Sequence, residues 1–306
     1  MRVEVLFPDV ANLYGDLQNV RYLLKSIENS GEEPSEDSIE SGNKETDVEL
    51  VLDEMWCEPH FVKGVPDLIY MGSMSESSQV CVVEILLPYR ERLARMIEEG
   101  VHFLLTGNAL EIFGRKILEE DGTEIKCLDL IPTVAKRDMQ RRHTTLYVGN
   151  LALPRRNTEN TENIENIESI EIVGFKSQFS YSYLQEEKTA CNVGERRKEN
   201  GPIEAGEENR ECRTENGTDR VSGWLDTKRG EGLNPGISQE GIRTRNFFGT
   251  YLLGPLLPLN PLLTKWLLGH MGIPNPRPAF EPEAMEAYRS RQKEYADPKT
   301  IFNYAH

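Results

Sequence analysis

One stretch, Gly100 to Gly114, limits the folds open to this chain more than any other. Val101 to Leu105 is a short apolar run, which is typical of a parallel strand covered on both faces. Thr106-Gly107-Asn108 then turns the chain, and Ala109 to Phe113 begins a helix. A strand, a tight turn and a helix place the turn residue at the carboxyl edge of a sheet, where a nucleophile is often presented. Gly107, at the tip of this turn, has no side chain to react.

Strands and helices alternate through the first 114 residues. We predict strands at Arg2–Phe7, Val48–Leu52 and Asp67–Met71, a helix from Asn19, and a second helix over Gln79–Glu99. This alternation predicts an α/β fold with a doubly wound, mostly parallel sheet and helices on both faces. In such folds the functional site lies at the carboxyl ends of the strands.

The second half of the chain is more irregular. We predict strands at Thr145–Leu153 and Ile170–Phe175, a strand leading into a loop at Asn246–Pro255, and helices at Leu262–Met271 and Pro282–Tyr295. Segments near 28–46, 155–169 and 185–220 are polar and too poor in apolar residues to offset their ordering entropy, so we interpret them as insertions. The expected organisation is one domain over 1–275 followed by a helical tail over 276–306.

Composition excludes several classes of function. A net charge of −16 and a pI near 4.9 argue against a nucleic-acid-binding surface, which requires clustered lysine and arginine. The five cysteines form no CxxC pair, which indicates a reducing compartment. No signal segment is recognised at Met1, and prolines interrupt the apolar stretch Tyr251–Leu268, so we expect a cytoplasmic protein without a membrane span.

Five motifs occur in the order found in a known family. They are Pro8-Asp9 with Asn12 to Asp16 and Asn19; Gly72 to Gln79; Gly122-Thr123-Glu124; Val173-Gly174-Phe175; and Gly249 to Pro258. Together they resemble class I glutamine amidotransferase domains of the CobB/CobQ type. The resemblance is greatest to the small glutaminase subunits that partner a Mur-ligase-like protein to amidate lipid II. It implies a flavodoxin-like fold.

The resemblance also implies a cysteine nucleophile and a histidine base, and both are replaced in this chain. The nucleophile position falls on Gly107 and the base position on Leu253. A family Glu-Asn-His motif becomes Lys176-Ser177-Gln178. A thiolate beside a helix N-terminus is the reactive group of such a site, and loss of either member of a catalytic pair removes most of its activity. No catalytic pair is therefore intact.

Other family positions remain candidates for ligand binding. The oxyanion turn becomes Gly72-Ser73-Met74, with Gln79 after it, and the residue after the nucleophile becomes Asn108. A substrate-contacting arginine falls on Arg141, with Arg142 as the neighbour in register. Unpaired N–H groups at helix N-termini still attract a ligand without a cysteine, so glutamine or another small amide is a candidate ligand.

For several single residues, a structural role is favoured over a catalytic or metal-binding one. Thr106 adjoins the turn but has no base, so it is a poor nucleophile. Cys57 and His60 are three residues apart, which suggests a thiol–imidazole pair or half a metal site, but no second pair completes it. Cys127 is expected in the core. His143 follows Arg141-Arg142, where an anion site and a solvated edge both remain possible. We expect no cofactor and no metal.

Two functional hypotheses follow, with a third that is weaker. The first is a glutamine amidotransferase-like domain without glutaminase activity, which binds or regulates a Mur-ligase-like or cobyrinate-type synthetase. The second is an active amidotransferase that uses an unusual nucleophile or receives ammonia through a partner. The third is a flavodoxin-like module that senses a small ligand.

Overall fold

Apolar strands separated by helices build the first part of the chain. The computed structural model describes residues 1–30, 48–153, 169–185, 212–213 and 220–301. Its strands are β1 (Arg2–Leu6), β2 (Glu49–Asp53), β3 (Leu68–Met71), β4 (His102–Thr106), β5 (Lys116–Leu118), β6 (Glu124–Lys126), β7 (Thr133–Arg137), β8 (His143–Ala152), β9 (Ser169–Gln178), β10 (Ser180–Leu184), β11 (Cys212–Arg213), β12 (Arg220–Arg229), β13 (Gln239–Thr244) and β14 (Phe247–Thr250). Its α-helices are α1 (Leu17–Asn29), α2 (Glu76–Leu86), α3 (Arg90–Glu98), α4 (Ala109–Ile112), α5 (Leu256–Leu259), α6 (Pro261–His270) and α7 (Glu281–Ala296).

The main sheet has the strand order β2-β1-β3-β4-β14-β13-β12-β8-β9, with β11 beside β12. From β2 to β14 all pairings are parallel, and these five strands follow the flavodoxin-like order 2-1-3-4-5. The predicted doubly wound α/β fold is thereby confirmed. From β14 to β9 the pairings are antiparallel. The strands predicted at Thr145–Leu153 and Ile170–Phe175 lie in this extension as β8 and β9, whereas β12 and β13 were not predicted.

Helices cover both faces of the parallel strands, and a separate apolar core fills each side. On one face α2, α3 and α4 pack on residues such as Ile69 and Phe103. On the other face α1, α5 and α6 pack on residues such as Val5 and Leu104. Neighbouring residues Phe103 and Leu104 thus enter different cores, because successive side chains of a strand point to opposite faces. This explains why the predicted strands are continuous apolar runs.

A second, four-stranded sheet has the order β10-β7-β5-β6. It brings Arg137, at the end of β7, and Ser180, at the start of β10, directly opposite each other. None of these four strands was predicted. Their short, polar-flanked segments, such as Glu124-Ile125-Lys126, carry too little periodic signal to be distinguished from loops.

The single helix predicted over Gln79–Glu99 is wrong in both its start and its continuity. Ser75 caps α2, since its hydroxyl accepts a hydrogen bond from the Ser78 N–H at 3.1 Å, and the helix begins before Gln79. A 3-10 turn over Leu87–Tyr89 then separates α2 from α3. Pro88 lies in this turn, where its missing N–H and its ring disfavour a continuous α-helix.

The helix predicted near the carboxyl terminus is confirmed as α7. It packs through Tyr288 and Tyr295 on apolar residues of β8 and β9. The predicted insertions 28–46, 155–169 and 185–220 lie largely outside the described residues. Within the described part of the chain, every helix is too short or too polar to cross a bilayer.

Candidate functional site

The turn between β4 and α4 has the geometry predicted for it. Gly107 follows the last residue of β4 and adopts a φ of +64°. This left-handed conformation is strained for residues with a side chain and readily adopted by glycine. The sharp turn at the carboxyl edge of the sheet is therefore present, and hydrogen occupies its tip.

The space above Gly107 is already filled. A Cβ atom on Gly107 would lie 2.5 Å from Ser73 Cβ and 2.9 Å from Leu253 Cδ2. Leu253 is held in place because its N–H donates to the Phe175 carbonyl at 2.9 Å. Tertiary structure thus brings together Gly107, Ser73 and Leu253 from three distant segments. The resulting packing leaves no room for a nucleophilic side chain at the turn.

Beneath the turn, a buried carboxylate organises the polar groups. Asp16 accepts hydrogen bonds from the Ser73 hydroxyl at 2.7 Å and the Thr106 hydroxyl at 3.1 Å. Burial raises the pKa of Asp16, and the two hydroxyl hydrogen bonds oppose that shift. Thr106 also pairs with the Tyr70 hydroxyl at 2.9 Å and is fully buried. The Thr106 hydroxyl is therefore a structural link rather than an exposed nucleophile.

The predicted ligand-binding residues are engaged in bonds that stabilise the turn. Asn108 accepts from the Met74 N–H at 3.0 Å and donates to the Met74 carbonyl at 2.8 Å. Gln79 donates to the Asn108 carbonyl at 2.7 Å. A Cβ on Gly72 would lie 2.5 Å from the Ala11 carbonyl oxygen, so this glycine permits a close backbone approach. Among these candidates, only Ser73 and Asn108 line the pocket described next.

A pocket opens beside Gly107. Its walls are the loop after β1, the turn after β3, the Gly107 turn, residues 177–180 at the β9–β10 corner, and Leu253. Arg142 lines the pocket and lies over the Phe179 ring at 4.6 Å, whereas Arg141 does not line it. The lining residues, all within the described chain, include no cysteine and no histidine.

Glu111 forms a buried polar centre at the base of the pocket that the sequence reasoning missed. It accepts hydrogen bonds from the hydroxyl groups of Ser180 and Tyr251, the latter at 3.0 Å. Arg137 lies 4.0 Å away. Burial raises the pKa of Glu111, although three hydrogen bonds and the Arg137 charge oppose the shift. The sequence signal that could have revealed this buried carboxylate is that Glu111 is the single acidic residue within the otherwise apolar segment Ala109–Phe113.

A buried ion pair holds the segment that carries Leu253. Lys176 Nζ lies 2.8 Å from Glu240 Oε2, and both side chains are almost fully buried. Glu240 also accepts hydrogen bonds from the Tyr251 N–H at 2.8 Å and the Thr250 hydroxyl at 2.9 Å. Lys176 stands at the first position of the altered Lys176-Ser177-Gln178 motif. The lysine at this altered position is therefore stabilised by its ion pair with Glu240.

The remaining reactive residues lie apart from the pocket. His60 Nδ1 pairs with Asp53 at 2.5 Å, and Cys57 is exposed. Cys127 is buried, and burial raises its thiol pKa to about 12. His143 Nδ1 pairs with the Tyr181 hydroxyl at 2.8 Å. No group of three or more potential metal ligands occurs among the residues that the structure describes.

Comparison with known proteins gives a distant relative. No protein-family model matches the chain. Over 224 residues it is 24% identical to the lipid II isoglutaminyl synthase (glutamine-hydrolyzing) subunit GatD of Staphylococcus aureus (strain N315), covering 72% of this chain and 69% of that protein. This chain has a glutamine amidotransferase-like domain. The similarity to GatD agrees with the resemblance found in the motifs.

Solved structures similar to this chain are more distant in sequence. PurLQS from Thermotoga maritima matches with a TM-score of 0.43 at 10% identity, covering 95% of this chain and 98% of that one. A glutamine amidotransferase from Thermotoga maritima matches with a TM-score of 0.42 at 7% identity, covering 96% and 91%.

Proposed function

We propose that this glutamine amidotransferase-like domain does not hydrolyse glutamine and acts as a binding or regulatory subunit. The observation that carries the proposal is the packing above Gly107. Restoring a side chain there would require Ser73 and Leu253 to move, so the site differs from an active one by more than a missing sulfur. Leu253 also contributes an apolar group where a general base would be needed.

The pocket lining supports the same conclusion. Thiol attack on a carboxamide requires a thiolate and a proton carrier in contact with the substrate. Within the described residues, neither a thiol nor an imidazole lines the pocket. Burial raises the pKa of the Cys127 thiol, which disfavours the reactive thiolate form.

The partner that we propose is an amidating synthetase of the Mur-ligase-like or cobyrinate type. The relative GatD is named as one subunit of a synthase, which supports a subunit role for this domain as well. Co-expression with a Mur-ligase-like synthetase tests the partner. We expect a complex that co-elutes in size-exclusion chromatography, and separate elution would contradict it.

Ammonia release from L-glutamine tests the loss of activity. We expect the purified full chain to release no more ammonia than a buffer blank, alone or with the synthetase partner. Labelling with a glutamine-analogue electrophile, followed by mass spectrometry, is expected to give no adduct in the pocket. Ammonia release that a pocket substitution abolishes, or an adduct on a pocket side chain, would show that the domain is an active amidotransferase.

A further inference from the structure

The main sheet ends in two edge strands, β2 and β9, and the two edges differ. At β9, the Asn260 side chain accepts a hydrogen bond from the Val173 N–H at 2.9 Å and donates one to the Val173 carbonyl at 2.8 Å. Helix α7 packs on the same strand, and its Tyr288 hydroxyl donates to the Glu171 carbonyl at 2.5 Å. Side chains thus occupy outward-facing backbone groups of β9, as folded proteins commonly protect a sheet edge.

The backbone of β2 is not covered in this way by the residues that the structure describes. The Glu49 N–H and the Asp53 carbonyl form hydrogen bonds of 2.8 and 2.9 Å to the residues at the two ends of β1. Since backbone groups alternate in direction along a strand, those of Leu50 and Leu52 point away from β1. In the described sheet, β1 is the one strand that pairs with β2, so the outward N–H and carbonyl groups of both leucines are left for another strand.

The side chains on this edge are apolar and exposed. Leu50 is 40% exposed and Leu52 is 44% exposed, and their register with Val3 and Val5 places them on the face that α1 covers. Trp56, shortly after the strand, is 77% exposed. Of the nine large apolar residues that are exposed in the described chain, these three lie within seven residues of one another. Such a concentration of exposed apolar side chains indicates an interaction surface.

The edge is also acidic. Residues 48–62 contain four acidic residues and no lysine or arginine. Glu49, at the start of β2, has a 67% exposed side chain, and Glu54, directly after the strand, is exposed as well. These two carboxylates flank the free backbone groups. A partner strand with a lysine or arginine at each end would therefore gain two favourable charge contacts.

A second copy of this chain fits the edge less well. If two β2 strands paired antiparallel about Val51, Glu49 of each copy would lie opposite Asp53 of the other. Like charges directly opposite each other destabilise a strand pair, and each copy carries a net charge of −16. A basic extended segment of another protein meets no such repulsion.

We propose that the outer edge of β2 binds an extended segment of another protein that carries alternating apolar residues and a lysine or arginine at each end. The segment adds a strand to the main sheet, with its backbone bonded to Leu50 and Leu52 and its apolar side chains packed on these leucines. Its basic ends face Glu49 and Glu54. The edge lies three strand spacings, about 14 Å, from β4, which leads into the Gly107 turn. Binding there is independent of the pocket and goes beyond the proposed function.

Titration of the full chain with synthetic peptides tests this assignment. The probe is acetyl-Lys-Val-Thr-Val-Lys-amide, and its charge counterpart has glutamate in place of both lysines. A third peptide keeps the lysines and carries an N-methyl group on each valine, which removes the two N–H donors that would face β2. Isothermal titration calorimetry gives the affinities. We expect the lysine peptide to bind about tenfold more tightly than either of the others, the factor that corresponds to two backbone hydrogen bonds or to two charge contacts reversed in sign.

Two variants locate the site. Leu52→Lys places a positive charge in the apolar row and is expected to weaken binding of the lysine peptide by about tenfold. Leu87→Lys is the matched control, because Leu87 is 38% exposed in the turn between α2 and α3, and it is expected to leave binding unchanged. Circular dichroism and thermal unfolding establish that each variant folds. If Leu52→Lys does not fold, the comparison of the three peptides on the unmodified chain decides alone.

Three outcomes would overturn the proposal: no binding of the lysine peptide, equal binding of the lysine peptide and either of the other two, or full binding by a folded Leu52→Lys variant. Sedimentation of the unmodified chain without peptide examines the competing occupant. A dimer that Leu52→Lys dissociates would show that the edge takes a second copy, and it would also overturn the proposal. Each of these outcomes leaves the proposed loss of glutaminase activity standing.

Discussion

At the scale of single residues, the site is decided by Gly107 and the side chains that pack over it. A left-handed backbone conformation at a glycine does not by itself show whether the space beside that glycine is open or filled. Gly15 has a φ of +74° with no heavy atom within 4 Å of the position that a Cβ would occupy, whereas Gly107 has Ser73 and Leu253 within 3 Å of that position. A side chain would meet only backbone strain at Gly15, but both backbone strain and steric overlap at Gly107. Comparing the two positions therefore distinguishes the two effects.

Alanine substitution at these two glycines measures the overlap. Gly15→Ala is expected to lower the free energy of unfolding by about 1–2 kcal/mol, the cost of a left-handed residue with a side chain. Gly107→Ala is expected to lower it by about 1–3 kcal/mol more, because the added methyl group overpacks Ser73. Urea unfolding provides both values. Equal losses at the two positions would contradict the closed space above Gly107.

A second residue-scale feature is the carboxyl pair Glu4 and Asp53 in the first two strands. Both are fully buried, and each has one carboxyl oxygen that accepts no hydrogen bond from a basic or backbone group among the described residues. Burial, followed by the hydrogen bond and the negative charge of Asp53, raises the pKa of Glu4 to about 8. Arg2, 4.0 Å from Glu4, and His60, paired with Asp53, are the neighbouring basic groups.

The shifted pKa predicts a pH dependence of stability. Between the ordinary glutamate pKa and about 8, the folded chain holds a proton that the unfolded chain has lost. The free energy of unfolding therefore falls as pH rises, by about 1.4 kcal/mol per pH unit at most from this group. Urea unfolding at pH 7 and 8 is expected to show this fall, and Glu4→Gln to remove it. A variant with the same slope as the unmodified chain would refute the assignment.

At the scale of elements, β9 and β13 are joined by the buried pair of Lys176 and Glu240. A buried pair contributes little net stability when intact, but loss of one partner leaves an uncompensated charge. Here that charge would lie on Glu240, which also accepts a hydrogen bond from the N–H of Tyr251, two residues before Leu253. The pair therefore influences the position of the segment that closes the Gly107 turn.

Methionine substitution tests this link. Lys176→Met is expected to lower the free energy of unfolding by about 3–5 kcal/mol, and Lys176→Met/Glu240→Gln by clearly less, since glutamine keeps the acceptor without the charge. Lys228→Met is the matched control, because Lys228 pairs with Glu171 while 51% exposed and should cost about 0–1 kcal/mol. Additive effects in the double variant would contradict the coupling.

At the scale of the whole molecule, the parallel half of the sheet was predictable, whereas in the antiparallel half only β8 and β9 were predicted as strands. Strands β1, β3 and β4 are buried on both faces, so their apolar runs stand out in the sequence. Strands β12 and β13 mix polar and apolar residues, and their places in the sheet depend on pairings between distant segments. Long-range pairing leaves no local pattern, which is why these strands were missed.

Sequence patterns alone predicted the α/β fold and the turn at Gly107, because both depend on neighbours in the chain. The family resemblance indicated Leu253 as the residue at the position of the base. The filling of the space above Gly107 by Leu253 and Ser73 became visible in the folded chain alone. Tertiary structure also placed Glu111, Arg137 and Gln178 around one pocket. Those arrangements depend on packing between residues far apart in sequence, which no local pattern encodes.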